Sequence, residues 1–418
     1  MKIAERNFWA GMAGNLLDRY DMALYGLMAP FIAPNFFPDD IYIVSLIKTY
    51  GIMALGIFTR PVGALFFGSL AMRVGAKKVL IICLIGVACC TGLLGFIPSH
   101  KSIGNSATLI FVLVRIFQGI FASGETAVAP FFIIKNSSSK QATRTSGYYN
   151  CSTMVGVIMA SIAATLVSYS STPSYYWRYA FIFGFFTAIA GIFLRITMIP
   201  GAEQLIPKMS LKTMISIVAK HKISVLRIIF VGSFSYITYT IPFVFMNNFV
   251  PLVTNIQLGE MLKLNSILLV LDTALIPVFG ILAENFNRAK FMASMSGFIA
   301  LTAIPLFYFI DDSGFIYIMF VRLVIIISGL AYLAPLYAWY YELVDEPDRY
   351  VVYGVGYSIG EEILGRNSTA VCLWLWYYFN NPIAPAVFIV FVAIFATLAL
   401  TIVKTNSESK SYNSHFNS

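Results

Sequence analysis

The chain has 418 residues, of which 59% are hydrophobic and only 11% charged, with a formal net charge of +9. A soluble domain carries about 25% charged residues, so this composition excludes a water-soluble enzyme and requires lipid around most of the surface. The basic excess is therefore read by its position along the chain and not as a nucleic-acid footprint.

Twelve apolar stretches follow one another, at about 8–34, 44–70, 79–97, 107–133, 145–168, 178–199, 226–252, 264–283, 291–310, 315–341, 351–378 and 383–403. Each approaches or exceeds the roughly 20 residues that cross a bilayer as a helix. The first is too long for a cleavable signal and contains Asp18, Arg19 and Asp21, so it is expected to stay as a first transmembrane helix. The longest polar connector, about 200–225, follows the sixth stretch and holds Lys208, Lys212, Lys220, His221 and Lys222. It reads as an amphipathic surface helix near anionic headgroups. The chain then divides into a bundle over 1–200, a linker over 201–225, a second bundle over 226–404 and a Ser/Asn-rich, disordered tail over 405–418.

If the N-terminus is cytoplasmic, 18 of the 28 Lys and Arg residues fall on the cytoplasmic side, Arg73, Lys77, Arg144, Arg288 and Lys290 among them. Only 4 fall outside (Lys48, Lys101, Arg178 and Lys263), and the other 6 lie within or at the ends of spans. That bias predicts both termini inside and an even number of spans. The five cysteines all fall in apolar segments without metal-ligand spacing and read as small buried side chains.

The two halves repeat. Gly68-Ser-Leu-Ala-Met-Arg-Val-Gly-Ala-Lys-Lys follows the second span, and Gly280-Ile-Leu-Ala-Glu-Asn-Phe-Asn-Arg-Ala-Lys follows the eighth. Phe-Val-Leu-Val-Arg115 in the fourth span matches Ile-Met-Phe-Val-Arg322 in the tenth. Duplicated halves are a common transporter design, with the substrate site at their interface near the bilayer midplane.

The loop after the second span resembles the Gly-x-Leu-Ala-Asp-Arg-x-Gly-Arg-Lys signature of the major facilitator superfamily through Gly68, Leu70, Ala71, Arg73, Gly75 and Lys77. Met72 stands where the signature has Asp, and Glu284 holds the acidic position in the second copy. Gly14-Asn-Leu-Leu-Asp-Arg-Tyr-Asp-Met-Ala-Leu-Tyr-Gly26, Phe58-Thr-Arg-Pro-Val-Gly63 and Arg115-Ile-Phe-Gln-Gly119 with Gly124-Glu125 resemble the metabolite–proton symporters, the group that includes proline/betaine and dicarboxylate transporters. Glu342 and the Tyr353–Gly365 stretch resemble the entry to that group's eleventh span; Arg19 and Arg366 depart from its pattern. The resemblance implies an all-α membrane protein of twelve transmembrane helices in two pseudo-symmetric six-helix bundles. It also implies a charged cytoplasmic latch at Gly68, Arg73, Gly75, Lys77 and Glu284.

An ionisable side chain inside a span costs several kcal/mol, about 2.5–3.5 on insertion scales, so each one asks for a role. Asp21, with Asp18 one turn earlier on the same face, and Glu125 in the fourth span are the proton-coupling candidates. A carboxyl group in a poorly solvated site exchanges a proton near neutral pH. The alternative is a static ion pair, such as Asp18 or Asp21 with Arg115. Arg115 either grips a substrate carboxylate through its planar guanidinium or ties the first span to the fourth. Arg322 reads as structural, and Arg60, before Pro61, as a paired group at a kink. Glu362 and Arg366 are expected to pair four residues apart, which leaves Glu361 facing the cavity or reaching water. Asp272 is a similar lone acid. Tyr236 and Tyr239 offer aromatic faces for a quaternary ammonium head, and Tyr25 completes the substrate-binding set with Asp18 and Glu361.

These residues predict a secondary transporter that carries a small polar metabolite with protons by alternating access. A proline- or betaine-type zwitterion is the first expectation and a di- or tricarboxylate the second. An exporter, an exchanger or a non-transporting relative is the alternative. The three histidines lie in loops or the tail, and no nucleophile elbow, phosphate loop or metal spacing appears, so no enzyme activity, cofactor or metal is expected. The expected partners are the substrate, protons and the lipid bilayer. The expected setting is a monomer in a bacterial inner membrane.

Overall fold

In hydrocarbon every backbone N–H and C=O has to be satisfied within its own segment, so long apolar stretches fold as helices. A computed structural model describes residues 3–38, 45, 48–49, 52, 56–134, 139–167, 175–197, 210–256, 258–311 and 313–402. No strand occurs among the described residues. The first half consists of α1 (Ile3–Phe36), α2 (Gly56–Val74), α3 (Ala76–Phe96), α4 (Asn105–Ile134), α5 (Ser139–Val167) and α6 (Trp177–Ile196). A short helix, α7 (Leu211–Lys220), precedes the second half. That half contains α8 (Lys222–Thr240), α9 (Leu258–Leu282), α10 (Arg288–Tyr308), α11 (Phe315–Leu333), α12 (Arg349–Ile359), α13 (Ser368–Phe379) and α14 (Ala384–Thr401).

Among the described residues, two spans are broken by π-helical turns. Ile241–Phe245, which contains Pro242, continues α8 into Met246–Val253, and Gly360–Gly365 joins α12 to α13. A π turn shifts the hydrogen bond to i→i+5 and commonly marks a functional position. The expected second span, 44–70, is a described helix only from Gly56, and much of its first part lies outside the described residues.

Among the described residues, eight helices are long and apolar enough to cross a membrane by composition alone. The four that complete the set of twelve are α1, α2, α5 and the broken α12–α13. They hold Asp18, Asp21, Arg60, Asn150, Glu361 and Arg366. The polar spans are thus the ones turned toward the middle of the molecule. Large apolar groups such as Phe66, Phe186, Leu301, Ile316 and Phe320 are exposed on the outside, where lipid solvates them. The chain is an integral, multi-pass membrane protein.

Within the first half α1 packs on α5 and α6, and α3 on α4 and α6; in the second, α14 packs on α10 and α8. The halves meet along α5 against α9 and α2 against α12. Small residues let the backbones approach. A Cβ built on Gly147 of α5 would lie 3.0 Å from the Cα of Gly280 in α9. One built on Gly68 of α2 would lie 3.2 Å from the Tyr350 carbonyl oxygen. Both contacts lie toward the end carrying Arg73, Lys77, Arg144 and Arg288, the basic face, so the two bundles are shut against each other there.

Helix α7 begins at Ser210, whose hydroxyl accepts from the Thr213 amide at 3.1 Å, an N-cap. It buries Ile217 and leaves Lys212 and Lys220 exposed, as the amphipathic reading of the connector requires. Lys220 and His221 reach Asp348 at 3.5 and 3.0 Å and tie this helix to the start of α12.

Candidate functional site

A small cavity of about 50 Å³ lies where the first half faces the second. α1 contributes Asp18, Asp21 and Met22, α2 Thr59 and Arg60, α3 Val87, and α4 Arg115, Gln118, Gly119 and Ala122. The second half contributes Arg366 at the end of its π turn.

A polar chain links three helices behind this wall. The Thr91 hydroxyl donates to Asp21 Oδ2 at 2.7 Å, and Gln118 Nε2 donates to Thr91 Oγ1 at 2.8 Å. Arg115 Nη1 donates to Gln118 Oε1. The Arg115 guanidinium lies 3.7 Å above the Tyr25 ring, a cation–π contact. The Tyr25 hydroxyl is fixed by the Thr49 carbonyl at 2.6 Å. No carboxylate lies within 4 Å of Arg115 among the described residues, so the expected alternative, a static pair with Asp18 or Asp21, does not form. Its remaining N–H donors have no acceptor among the described residues, and the side chain lines the cavity. Arg322, its counterpart in the repeat, likewise donates to an amide, Asn265 Oδ1, but is fully enclosed.

Asp18 is buried, and neither of its carboxylate oxygens has a hydrogen-bond donor. Its nearest cation is Arg19 Nε at 3.8 Å. Asp21 Oδ1 also lacks a donor. A buried carboxylate in such a position is expensive to keep charged. Glu125 is placed differently. It faces Arg195 of α6 in a two-pronged pair, with Nη1 to Oε2 at 2.6 Å and Nη2 to Oε1, both side chains enclosed. Arg195 Nη1 also donates to the Leu80 carbonyl at 2.7 Å. Of the two proton-coupling candidates the cavity wall includes Asp21 and not Glu125.

The π turn changes the pairing expected for the eleventh span. Its extra residue per turn brings Arg366 Nη2 to 3.3 Å from Glu361 Oε1, five residues earlier, instead of leaving Glu361 without a local partner. Glu361 also faces Arg60 Nη1 of the first half at 3.6 Å. One buried carboxylate thus bridges a guanidinium from each half. The Glu362 side chain lies outside the described residues.

Other expected positions fall outside the cavity wall. Tyr236 lies under Arg366 at 5.7 Å, and the Tyr239 ring packs, tilted, on Phe243. Asp272 of α9 is buried away from the wall, with no donor among the described residues.

On the basic face, Glu284 is gripped by Arg144 of α5, Nε to Oε1 and Nη2 to Oε2 both at 2.9 Å. Arg288 of the second half donates to Thr143 of the first at 2.8 Å and pairs with Glu342. Asn150 donates to the Leu333 carbonyl at 2.9 Å, and Ser146 accepts from the Tyr337 amide at 3.1 Å. The first copy of the loop is different. Met72, where the signature has Asp, is buried; Arg73 is exposed, with no carboxylate within 4 Å among the described residues; and Lys77 caps α6 at the Ile196 carbonyl, 2.8 Å away. Gly75 has φ 91°, a conformation that favours glycine, and this turns the chain from α2 into α3. The inter-half lock therefore rests on the second copy.

Sequence reasoning missed Thr91, Gln118 and Arg195, and a buried tyrosine cluster on the basic-face side. In that cluster Tyr149 meets Tyr337 at 5.0 Å, and Tyr340 meets Tyr353 at 5.0 Å. Gln118 was within reach, three residues after Arg115 on one helical face.

Two six-helix bundles around a charged cavity, shut against each other on one side, define a membrane transporter. The Major Facilitator Superfamily model matches residues 12–363, and the chain belongs to that family. It is 24% identical to a putative proline/betaine transporter of Staphylococcus aureus, over 98% of this chain and 90% of the relative. It is 26% identical to the shikimate transporter of Escherichia coli, over 90% and 89%. Among solved structures, the superfamily transporter FucP in the outward conformation matches with a TM-score of 0.76 at 12% identity, covering 97% of this chain and 100% of that one. The proton:xylose symporter XylE matches with a TM-score of 0.69 at 14% identity, covering 94% of each.

Proposed function

We propose that the chain is a proton-coupled symporter of a small metabolite bearing a carboxylate, with the basic face cytoplasmic and the structure closed on that side. The observation that carries this reading is the cavity wall itself, where Arg115 offers unsatisfied donors beside Asp18 and Asp21, two carboxyl groups with donor-free oxygens. A planar guanidinium held by Gln118 and Tyr25 is preorganised for a carboxylate. Protonation of Asp21 or Asp18 removes a charge that is expensive to enclose when the outer side closes. Glu125 then serves as the anchor of Arg195. The bundles over 1–200 and 226–404 rock about the cavity while Glu284–Arg144 and Arg288–Thr143 break and re-form. The names of the relatives favour a proline- or betaine-type zwitterion or a cyclic acid such as shikimate as cargo. An inner membrane of a bacterium fits the bacterial relatives, and a monomer fits a site complete within one chain.

The test is uptake into proteoliposomes with and without an inward proton gradient, against a panel of labelled carboxylates and zwitterions. Gradient-driven uptake that loses its pH dependence in Asp21→Asn and Asp18→Asn supports the reading. Uptake that ignores the gradient, or unchanged coupling in both variants, contradicts it.

A further inference from the structure

We infer that Asp272 of α9 is a separate proton site, outside the substrate cavity, which takes a proton from the basic side when the halves close there and returns it to that side when they part; this rests on the symporter reading above. Every fourth residue of α9 from Leu264 is buried, and in the row Leu264, Leu268, Asp272, Ile276 and Gly280 the aspartate is the one ionisable group. The row runs into the seam with α5 of the first half. A Cβ built on Gly147 would lie 3.0 Å from the Gly280 Cα and 3.5 Å from the Ile276 carbonyl oxygen. Pro277 has no N–H to give to the Thr273 carbonyl, and the Cys151 thiol of α5 donates to it across the seam at 3.6 Å. Asp272 therefore stands beside a contact between the halves, about 12 Å along the helix from Gly280.

The surroundings give its charge no partner. No hydrogen bond or ion pair reaches the Asp272 carboxyl group among the described residues. The titratable groups that face it are the Cys151 thiol from α5 and the Tyr239 phenol from α8. Arg322, the cation of α11, is held by Asn265, about two turns away along α9. The Met246–Val253 helix brings no titratable group. Arg144 of α5 and Glu284 pair with each other at the basic end of the seam. An ionised carboxylate enclosed without a partner is costly, so the shut seam encloses Asp272 as the neutral acid. Parting α5 from α9 on the basic side admits water, and the group then ionises. While that face is shut the group is enclosed, so its proton returns to the side it came from. The cavity wall does not include Asp272, and this proton adds nothing to the number carried with each substrate. It sets how the carrier rests. Acid on the basic side favours the shut form and alkali the open one, by up to about tenfold per pH unit for one proton.

The experiment follows the full chain in lipid nanodiscs, with spin labels across the basic face, while pH is varied. It is run in a protein with Asp18 and Asp21 both changed to Asn, which silences the cavity acids, with and without Asp272→Asn. The expected result is an open-to-shut ratio that still rises with pH when only the cavity acids are gone, and that stays low at every pH once Asp272→Asn is added. Asp272→Leu, which suits the apolar row, serves as a second neutral replacement should the Asn variant fail to assemble. Asp272→Asn alone should keep the wild-type proton count per substrate, read from lumenal acidification and labelled uptake in proteoliposomes. A pH response that Asp272→Asn leaves unchanged, no response once the cavity acids are removed, or a lower proton count in Asp272→Asn overturns this site while leaving the symporter standing. A wild type without gradient-driven uptake of any compound overturns both.

Discussion

Glu125 and Arg195 set up a sharp test of what a buried charge does in this protein. The pair is enclosed, two-pronged, and backed by the Leu80 carbonyl. Glu125→Leu leaves the Arg195 guanidinium with that carbonyl as its one acceptor among the described residues, and breaking a buried pair from one side costs about 3–5 kcal/mol. Arg195→Leu strands Glu125 at a similar cost. The double variant removes both charges and should return to near wild-type stability, since well-packed apolar replacements of buried pairs are often neutral or stabilising. Gly14→Ala should act through the same group, because its Cβ would fall 1.8 Å from Arg195 Nη2. Its damage should therefore shrink in the Arg195→Leu background. The assay is the unfolding midpoint of purified protein in detergent, followed by intrinsic tryptophan fluorescence. Single variants as stable as wild type, or a double variant as unstable as the two singles added, would refute the reasoning. Proton-coupled uptake surviving in the double variant would set Glu125 apart from Asp21.

Further expectations follow from individual contacts. Glu284→Gln removes a two-pronged pair whose arginine is about half exposed, so the loss is about 1 kcal/mol. The fraction open on the basic face should rise about fivefold, read by distances between spin labels across that face; an unmoved distribution would exclude the latch. Thr91→Val cuts both the bond to Asp21 and the one from Gln118. Uptake should slow several-fold with a small loss of stability, and normal uptake would remove this chain from the mechanism. Gly75→Ala forces a side chain onto φ 91° and should cost about 1–3 kcal/mol of stability, read from the unfolding midpoint.

The architecture was legible because lipid makes the helical choice compulsory, so apolar length alone located the spans. The cost of buried charge also pointed to Asp18, Asp21 and Arg115, all of which the cavity gathers. What stayed hidden depends on distant partners or on irregular backbone. Nothing in the sequence near Glu125 announces Arg195, seventy positions later on another helix. The spacing of four that suggested Arg366 with Glu362 gave no sign of Glu361, which the π turn brings within 3.3 Å of Arg366. Tyr236 and Tyr239 drew attention as aromatic faces, yet neither is among the described residues that line the cavity.

The account stands most directly on a measurement of lumenal pH in proteoliposomes while substrate is added outside. Substrate-dependent acidification by the wild type, absent in a protein with Asp18 and Asp21 both changed to Asn yet still able to bind substrate, is the predicted result. Acidification that persists without those two carboxyl groups would contradict it.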